Sequence, residues 1–294
     1  MTTLDGPDET RPNLFVVGAA KAGTTSLWEH LSAHPDVFMS KVKEPHFFSD
    51  HRRSIGSVVR DPRAYARLFA DGAGARYRGD ASPSYLPDPQ SAQRIHAAVR
   101  DARIVVSLRD PVERAYANYW TWVRVGPERR PFSEAVQAEL AQTAVDMGAE
   151  PPPYVARGFY ADQLHRYRKL FGPSLLVLFF EEFVADVRGT MRTVYEWLGL
   201  DPAPADSLDV APRFPFELPR NRVAAAALRV PGARRLGDRM LRGGLRARMD
   251  RAVFQREKPP LDPETRRLLR EVYAPADARL RDFLGRSLPW DGRE

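Results

Sequence analysis

Gly18-Ala-Ala-Lys-Ala-Gly-Thr-Thr25 sets one lysine and two hydroxyls in and just after a GxxxxG turn. A turn of this kind between a strand and a helix gathers backbone N–H groups at the positive end of the helix dipole, which suits a phosphate. In a nucleotide-triphosphate loop a lysine follows the second glycine, but here Thr24 does and the lysine is Lys21. A P-loop kinase or NTPase therefore stays as an alternative with a weakened motif. Lys43-Glu-Pro-His46 brings a carboxylate and an imidazole two residues apart. Either could take a proton from a hydroxyl, and both would point the same way in an extended segment. Arg109 can clamp a phosphate through two parallel N–H groups. Each candidate also has a plain structural explanation. Lys21 would be a solvated lysine, Arg109 a partner of Asp110 or Glu113, His46 a core histidine, and Lys43 a mate for Glu44.

These side chains need a scaffold, and the apolar patterning supplies one. Leu14-Phe-Val-Val17, Arg103-Ile-Val-Val-Ser-Leu108 and Ser174-Leu-Leu-Val-Leu-Phe179 read as buried strands. Residues 26–34 read as a helix with Leu27, Leu31 and His34 inward and Pro35 beyond its end. Asp110-Pro111 is a helix start, with the aspartate as cap and the proline in the first turn. Residues 181–198 read as helical up to Gly199, residues 201–217 as a loop, and residues 261–284 as a closing helical segment that Pro275 interrupts. Between them, residues 223–254 suggest helical pieces broken by Pro231 and Gly243-Gly244. Alternating strands and helices predict an α/β fold, a three-layer domain with a mainly parallel central sheet flanked by helices. One domain over residues 13–294 is expected, behind a flexible N-terminus at residues 1–12.

Composition narrows the classes. The 294 residues are 43% hydrophobic and 28% charged, enough to bury a large core and unlike a disordered or fibrous chain. With no cysteine, disulfide scaffolds and thiolate metal sites are excluded. No apolar run nears the roughly 20 residues of a membrane span, and residues 1–12 lack the apolar core of a secretory signal. A cytoplasmic protein is expected. The net charge of +7 is uneven, because twelve arginines, one lysine and four acids leave residues 213–258 at +9. That stretch reads as a basic mobile lid or acceptor-binding segment, with contact to an anionic acceptor or membrane edge left open. A non-catalytic protein binding nucleic acid or a membrane surface is a further alternative. The segment's phenylalanines, Phe214, Phe216 and Phe254, sit at its ends and none is interleaved with the arginines between them for base stacking, so no nucleic acid is expected.

Lys21-Ala-Gly-Thr-Thr-Ser-Leu27 resembles the 5′-phosphosulfate loop of sulfotransferases that use 3′-phosphoadenosine-5′-phosphosulfate (PAPS). Other segments agree in order: Lys43-Glu-Pro-His-Phe-Phe48, Asp80-Ala-Ser-Pro-Ser-Tyr-Leu86, Val105-Val-Ser-Leu-Arg-Asp-Pro-Val-Glu-Arg114 and Leu284-Gly-Arg-Ser-Leu-Pro-Trp290. They are similar to the heparan sulfate 3-O- and N-sulfotransferase branch, over roughly residues 13–290, and imply its P-loop-like fold. The resemblance implies that Lys21, Ala22, Gly23, Thr24, Thr25 and Ser26 hold the 5′-phosphosulfate, and that Arg109 holds the 3′-phosphate. It makes Glu44 the catalytic base with His46 alongside, and Arg256 and Lys258 the basic nucleotide loop. No metal is implied. The family's 3′-phosphate serine is replaced here by Ala117, for which Asn118 or the basic segment would compensate. The lysine that heparan-modifying enzymes carry is replaced by Ala81. The expected acceptor is therefore a small molecule such as a natural product, glycolipid or glycoside.

Overall fold

The computed structural model describes residues 11–50, 58–125, 128–211, 218–219, 254–255 and 258–292. Most of the expected N-terminal tail and nearly all of the basic 213–258 stretch, Arg256 included, lie outside those residues.

Strand β1 (Leu14–Gly18) is buried along its whole length and lies in the middle of a five-stranded sheet. Its neighbours are β3 (Tyr77–Ala81) and β4 (Arg103–Leu108), with β2 (Val37–Met39) and β5 (Leu175–Phe179) at the edges. Every pairing in this sheet is parallel, with Phe15 opposite Asp80 and Ile104, and Leu108 opposite Phe179. The order β2-β3-β1-β4-β5 makes the chain leave β1 towards one edge and return to cross over to the other. Ligands of open α/β sheets bind where such a reversal leaves a crevice at the carboxyl ends of the strands. Here that crevice opens between β1 and β4.

The side-chain alternation of β1 feeds two cores. Phe15 and Val17 pack with Ile104, Val106 and Leu108 against α3 (Ser91–Ala98), α6 (Tyr160–Phe171) and the closing helix α9 (Pro263–Leu284). Leu14 and Val16 pack with Leu27 and Leu31 of α1 (Thr24–Ser32) and with Met191, Val194 and Tyr195 of α8 (Val187–Trp197). Helix, sheet and helix thus form the three expected layers. A third apolar cluster joins α4 (Pro111–Val125), α5 (Phe132–Leu140) and α9. Among the described residues no helix is long and apolar enough to cross a membrane.

Several boundaries differ from the sequence reading. Helix α1 begins at Thr24, two residues early, because Gly23 at φ 79° is its left-handed cap. The stretch 181–198 is two helices, α7 (Phe180–Ala185) and α8. They break at Asp186, whose side chain accepts from the Gly189 N–H at 2.8 Å and restarts the helix. Pro275 does not interrupt α9, since Leu269, Tyr273, Ala276 and Leu280 bury the turns on both sides of it. Strand β3 escaped notice because it carries Arg78, Gly79 and Asp80, which look unlike a buried strand. Arg78 is satisfied by the Arg11 and Ala75 carbonyls at 2.7 Å each, and a side chain at Gly79 would collide with Met39. A short helix α2 (Pro62–Arg67), capped by Asp61, lies between β2 and β3.

Candidate active site

The first site is the turn between β1 and α1. The first helical hydrogen bond runs from the Leu27 N–H to the Gly23 carbonyl at 3.0 Å. That leaves the amides of Thr24, Thr25 and Ser26 with no partner inside the helix, and no side chain caps them. Gly23 is required twice over: its φ disfavours a side chain, and a Cβ there would lie 3.1 Å from the Phe180 ring. A Cβ at Gly18 would sit 2.6 Å from Leu86. The Ala22 amide is turned inward to the Ala19 carbonyl at 3.2 Å, so it serves the turn itself. Lys21 stands exposed at the rim. Desolvation of its ammonium, then the charges of Arg124, Arg109 and Lys43, push it below its ordinary value against the pull of Glu44. Positive charge is thus concentrated around the helix start, the condition for holding an anion.

The second part lies across the crevice, at the end of β4. Arg109 donates through Nη1 to the Lys21 carbonyl at 3.0 Å, and its guanidinium lies 4.6 Å over the Phe180 ring. Its two suspected partners are taken elsewhere. Asp110 holds Arg270 in a bidentate pair at 2.9 and 2.6 Å, and Glu113 holds Lys258 at 3.0 Å and Arg266 at 2.8 Å. Arg109 therefore has no carboxylate at ion-pair distance among the described residues, and its Nε is buried without a partner. Two turns along α4, Asn118 is 4% exposed and its Nδ2 is likewise unpartnered. Lys258 sits on Glu113 and 4.4 Å over the Tyr116 ring, so it braces α4 from the returning chain.

The third part is the segment after β2. Glu44 and His46 do meet, with Oε2 and Nε2 3.5 Å apart. They do so through two left-handed residues, at φ 61° and φ 55°, and not through the extended run expected. The bent backbone is held from β3's end: the His46 N–H donates to Ser82 Oγ at 3.1 Å, and Ser82 donates to Asp80 at 2.7 Å. Tyr65 and Tyr85 also donate to the fully buried Asp80, each at 2.7 Å. A carboxylate fed by three hydroxyls in a dry interior is a rigid anchor. Arg60 closes the other side, donating to the His46 and Ser49 carbonyls at 3.3 and 2.6 Å. Burial pushes the Glu44 carboxyl up, but the hydrogen bond from His46 and the charge and hydrogen bond of Lys43, 2.5 Å away, outweigh it and hold the group well below the usual carboxylate range.

Accessibility separates the two candidate bases. Glu44 is 24% exposed whereas His46 is 2% exposed, so only the carboxylate can reach a bulky partner from solvent. The sequence reading singled out neither Arg124, whose charge bears on Lys21, nor the hydroxyls of Ser82 and Ser84 behind His46. The signal for the latter was the Asp80-Ala-Ser-Pro-Ser-Tyr-Leu86 segment, read only as a motif. Among the described residues no group of three or more His, Asp or Glu side chains is arranged to hold a metal ion.

A model of the sulfotransferase family matches residues 43–204 of the chain. Human heparan sulfate glucosamine 3-O-sulfotransferase 3A1 is 26% identical over 98% of this chain, which spans 64% of that protein. Human carbohydrate sulfotransferase 15 is 26% identical over 93% of this chain, which spans 53% of that protein. The chain thus covers less than two thirds of either relative. A solved structure of a sulfotransferase from Alicyclobacillus acidocaldarius is 31% identical and superposes with a TM-score of 0.69, covering 95% of this chain and 97% of that one.

Proposed function

Because the chain belongs to the sulfotransferase family, we propose that it moves a sulfuryl group from PAPS to a hydroxyl of a small acceptor and releases adenosine 3′,5′-bisphosphate. The observation that carries this reading is the pair of unneutralised cations, Lys21 and Arg109, joined across the β1–β4 crevice with an ionised, accessible Glu44 beside them. When bound, PAPS supplies an activated sulfuryl group on a phosphate leaving group. The residues fit such a donor. Lys21 and the amides of Gly23, Thr24, Thr25 and Ser26 would hold the 5′-phosphosulfate, since their fixed dipoles and charge stabilise negative charge as it builds on the departing phosphate. The orphaned Nε of Arg109 and Nδ2 of Asn118 offer donors for the 3′-phosphate, in place of the hydroxyl missing at Ala117. Lys258, occupied by Glu113, would act on the nucleotide only by bracing α4. Arg256 keeps the nucleotide role implied by the resemblance.

Glu44 would take the acceptor proton while the acceptor oxygen bonds to sulfur and the sulfur–oxygen bond to the phosphate breaks. His46 would hold the carboxylate in place from behind. Ala81, at the end of β3 and 1% exposed, offers no charge to a polyanionic sugar chain, which supports a small natural product, glycolipid or glycoside as acceptor. A mass-spectrometric screen of such acceptors with PAPS tests the reading. Products heavier by one sulfuryl group are expected. Protein that binds neither PAPS nor adenosine 3′,5′-bisphosphate would overturn it.

A further inference from the structure

Behind Glu44 lies a chain of buried hydroxyls for which sulfuryl transfer has no direct use. Ser84 Oγ is 2.7 Å from His46 Nδ1, and Ser49 Oγ is 2.9 Å from Ser84 Oγ. Ser49, Ser84 and His46 are 1%, 6% and 2% exposed. On the far side of the ring, Nε2 faces Glu44 Oε2 at 3.5 Å, while Lys43 holds the other carboxylate oxygen. A neutral imidazole has one donating and one accepting nitrogen, and an ionised carboxylate only accepts. In a neutral ring the nitrogen that faces Glu44 therefore carries the proton, which leaves a lone pair on Nδ1 in need of a donor.

We propose that Ser84 is a positioning residue for the base: its hydroxyl donates to His46 Nδ1 and so fixes the ring proton on Nε2, towards Glu44. Ser49 Oγ lies 2.9 Å from Ser84 Oγ and 3.3 Å from the His46 carbonyl, so its single proton can go to either, and the directed run is the one from Ser84 through His46 to Glu44. The backbone frame supports this direction. Ser82 and Arg60 hold the His46 peptide groups, and the ring itself is buried between Ser84 and Glu44. The strong depression of the Glu44 carboxyl agrees with donation from His46. Ser84 acts through His46 and touches neither donor nor acceptor. The inference rests on Glu44 being the base of the proposed reaction, but its test needs no substrate.

The experiment is a long-range proton–nitrogen correlation spectrum of the full chain labelled with [15N]histidine, in which His46→Gln identifies the His46 ring signals. At neutral pH the wild-type ring should show a protonated Nε2 and an unprotonated Nδ1. Ser84→Ala should shift the Nδ1 signal and mix the two tautomers, and Ser84→Thr should restore the wild-type pattern. A wild-type ring protonated on Nδ1, or on both nitrogens, overturns the proposal, as does a Ser84→Ala spectrum that matches wild type. If Ser84→Ala does not fold, the wild-type tautomer decides. Loss of adenosine 3′,5′-bisphosphate binding belongs to a different failure. It would overturn the sulfotransfer reading, whereas a wrong tautomer in protein that binds the nucleotide overturns the role of Ser84 alone.

Discussion

Lys21 and Glu44 carry opposite charges in one crevice, and changing either should cost turnover more than donor binding, for different reasons. Lys21→Ala removes a charge whose worth grows as the leaving group departs, so turnover should fall by more than nucleotide affinity does. A steady-state assay compared with calorimetric binding reads that difference. Glu44→Gln keeps the shape and removes the proton acceptor, and kcat should drop by roughly 10²–10⁴-fold with little change in donor binding. The Glu44 carboxyl is held below its ordinary value, so it stays ionised well into the acid range and contributes stability that is lost only as pH falls through its depressed folded value. Wild-type activity should consequently show no loss attributable to Glu44 between pH 7 and about pH 5, taking the ordinary glutamate value of about 4.3 as an upper limit. A pH–rate profile checks this. A controlling limb near the ordinary histidine value of about 6.5 would shift the base assignment to His46.

Helix α9 closes the fold by burying Leu269, Tyr273, Ala276 and Leu280, and it carries a carboxylate in an awkward place. Burial, reinforced by Asp110, pushes Asp277 up to about 6, against the Trp290 N–H at 3.0 Å and the charges of Arg270 and Arg281. A group raised in this way stabilises the fold fully below its ordinary value, and that contribution disappears as pH rises through about 6. Asp277→Asn keeps an acceptor for Trp290 and removes the ionisation. It should raise stability at pH 7.5 by about 1–2 kcal/mol, a figure reduced from the full shift because the side chain is only part-buried. Chemical denaturation of both proteins from pH 4 to pH 7.5 should show the gain growing with pH and levelling off above about 6. The same helix reaches the site through Arg270 on Asp110 and Arg266 on Glu113, so its docking is what leaves Arg109 unpaired.

Across the molecule, the crevice between β1 and β4 joins the two halves of the sheet, so a ligand there should stabilise the fold as a unit. At 100 times its dissociation constant, a nucleotide that binds only the folded state adds about 2.7 kcal/mol. For a domain of this size that is a rise of about 5 °C in Tm. Adenosine 3′,5′-bisphosphate should give such a shift, and ATP with Mg²⁺ a much smaller one, in a thermal-shift titration. Equal shifts would favour a kinase-like use of the same loop.

The glycine turn between β1 and α1, the three strands β1, β4 and β5, and the α/β class were legible in the chain because each depends on local rules: apolar β-branched runs, a glycine at a left-handed position, and a cap before a proline. The ordered motifs pointed to the family for the same reason, since each is a short segment with its own chemistry. Strand β3 was hidden, because its Arg78 and Asp80 are made tolerable by partners from Arg11 to Tyr85 that only the packed sheet brings near. The bend at Glu44 and His46 was hidden too. No local preference favours a left-handed glutamate or histidine, and Ser82, Arg60 and Asp80 stabilise that bend from distant parts of the chain. Sequence could propose Arg109 as a phosphate ligand, but whether it was free depended on Arg270, Arg266 and Lys258 claiming the nearby acids. Charge pairing across more than a hundred residues is a property of the folded arrangement and leaves no local signal in the order of amino acids.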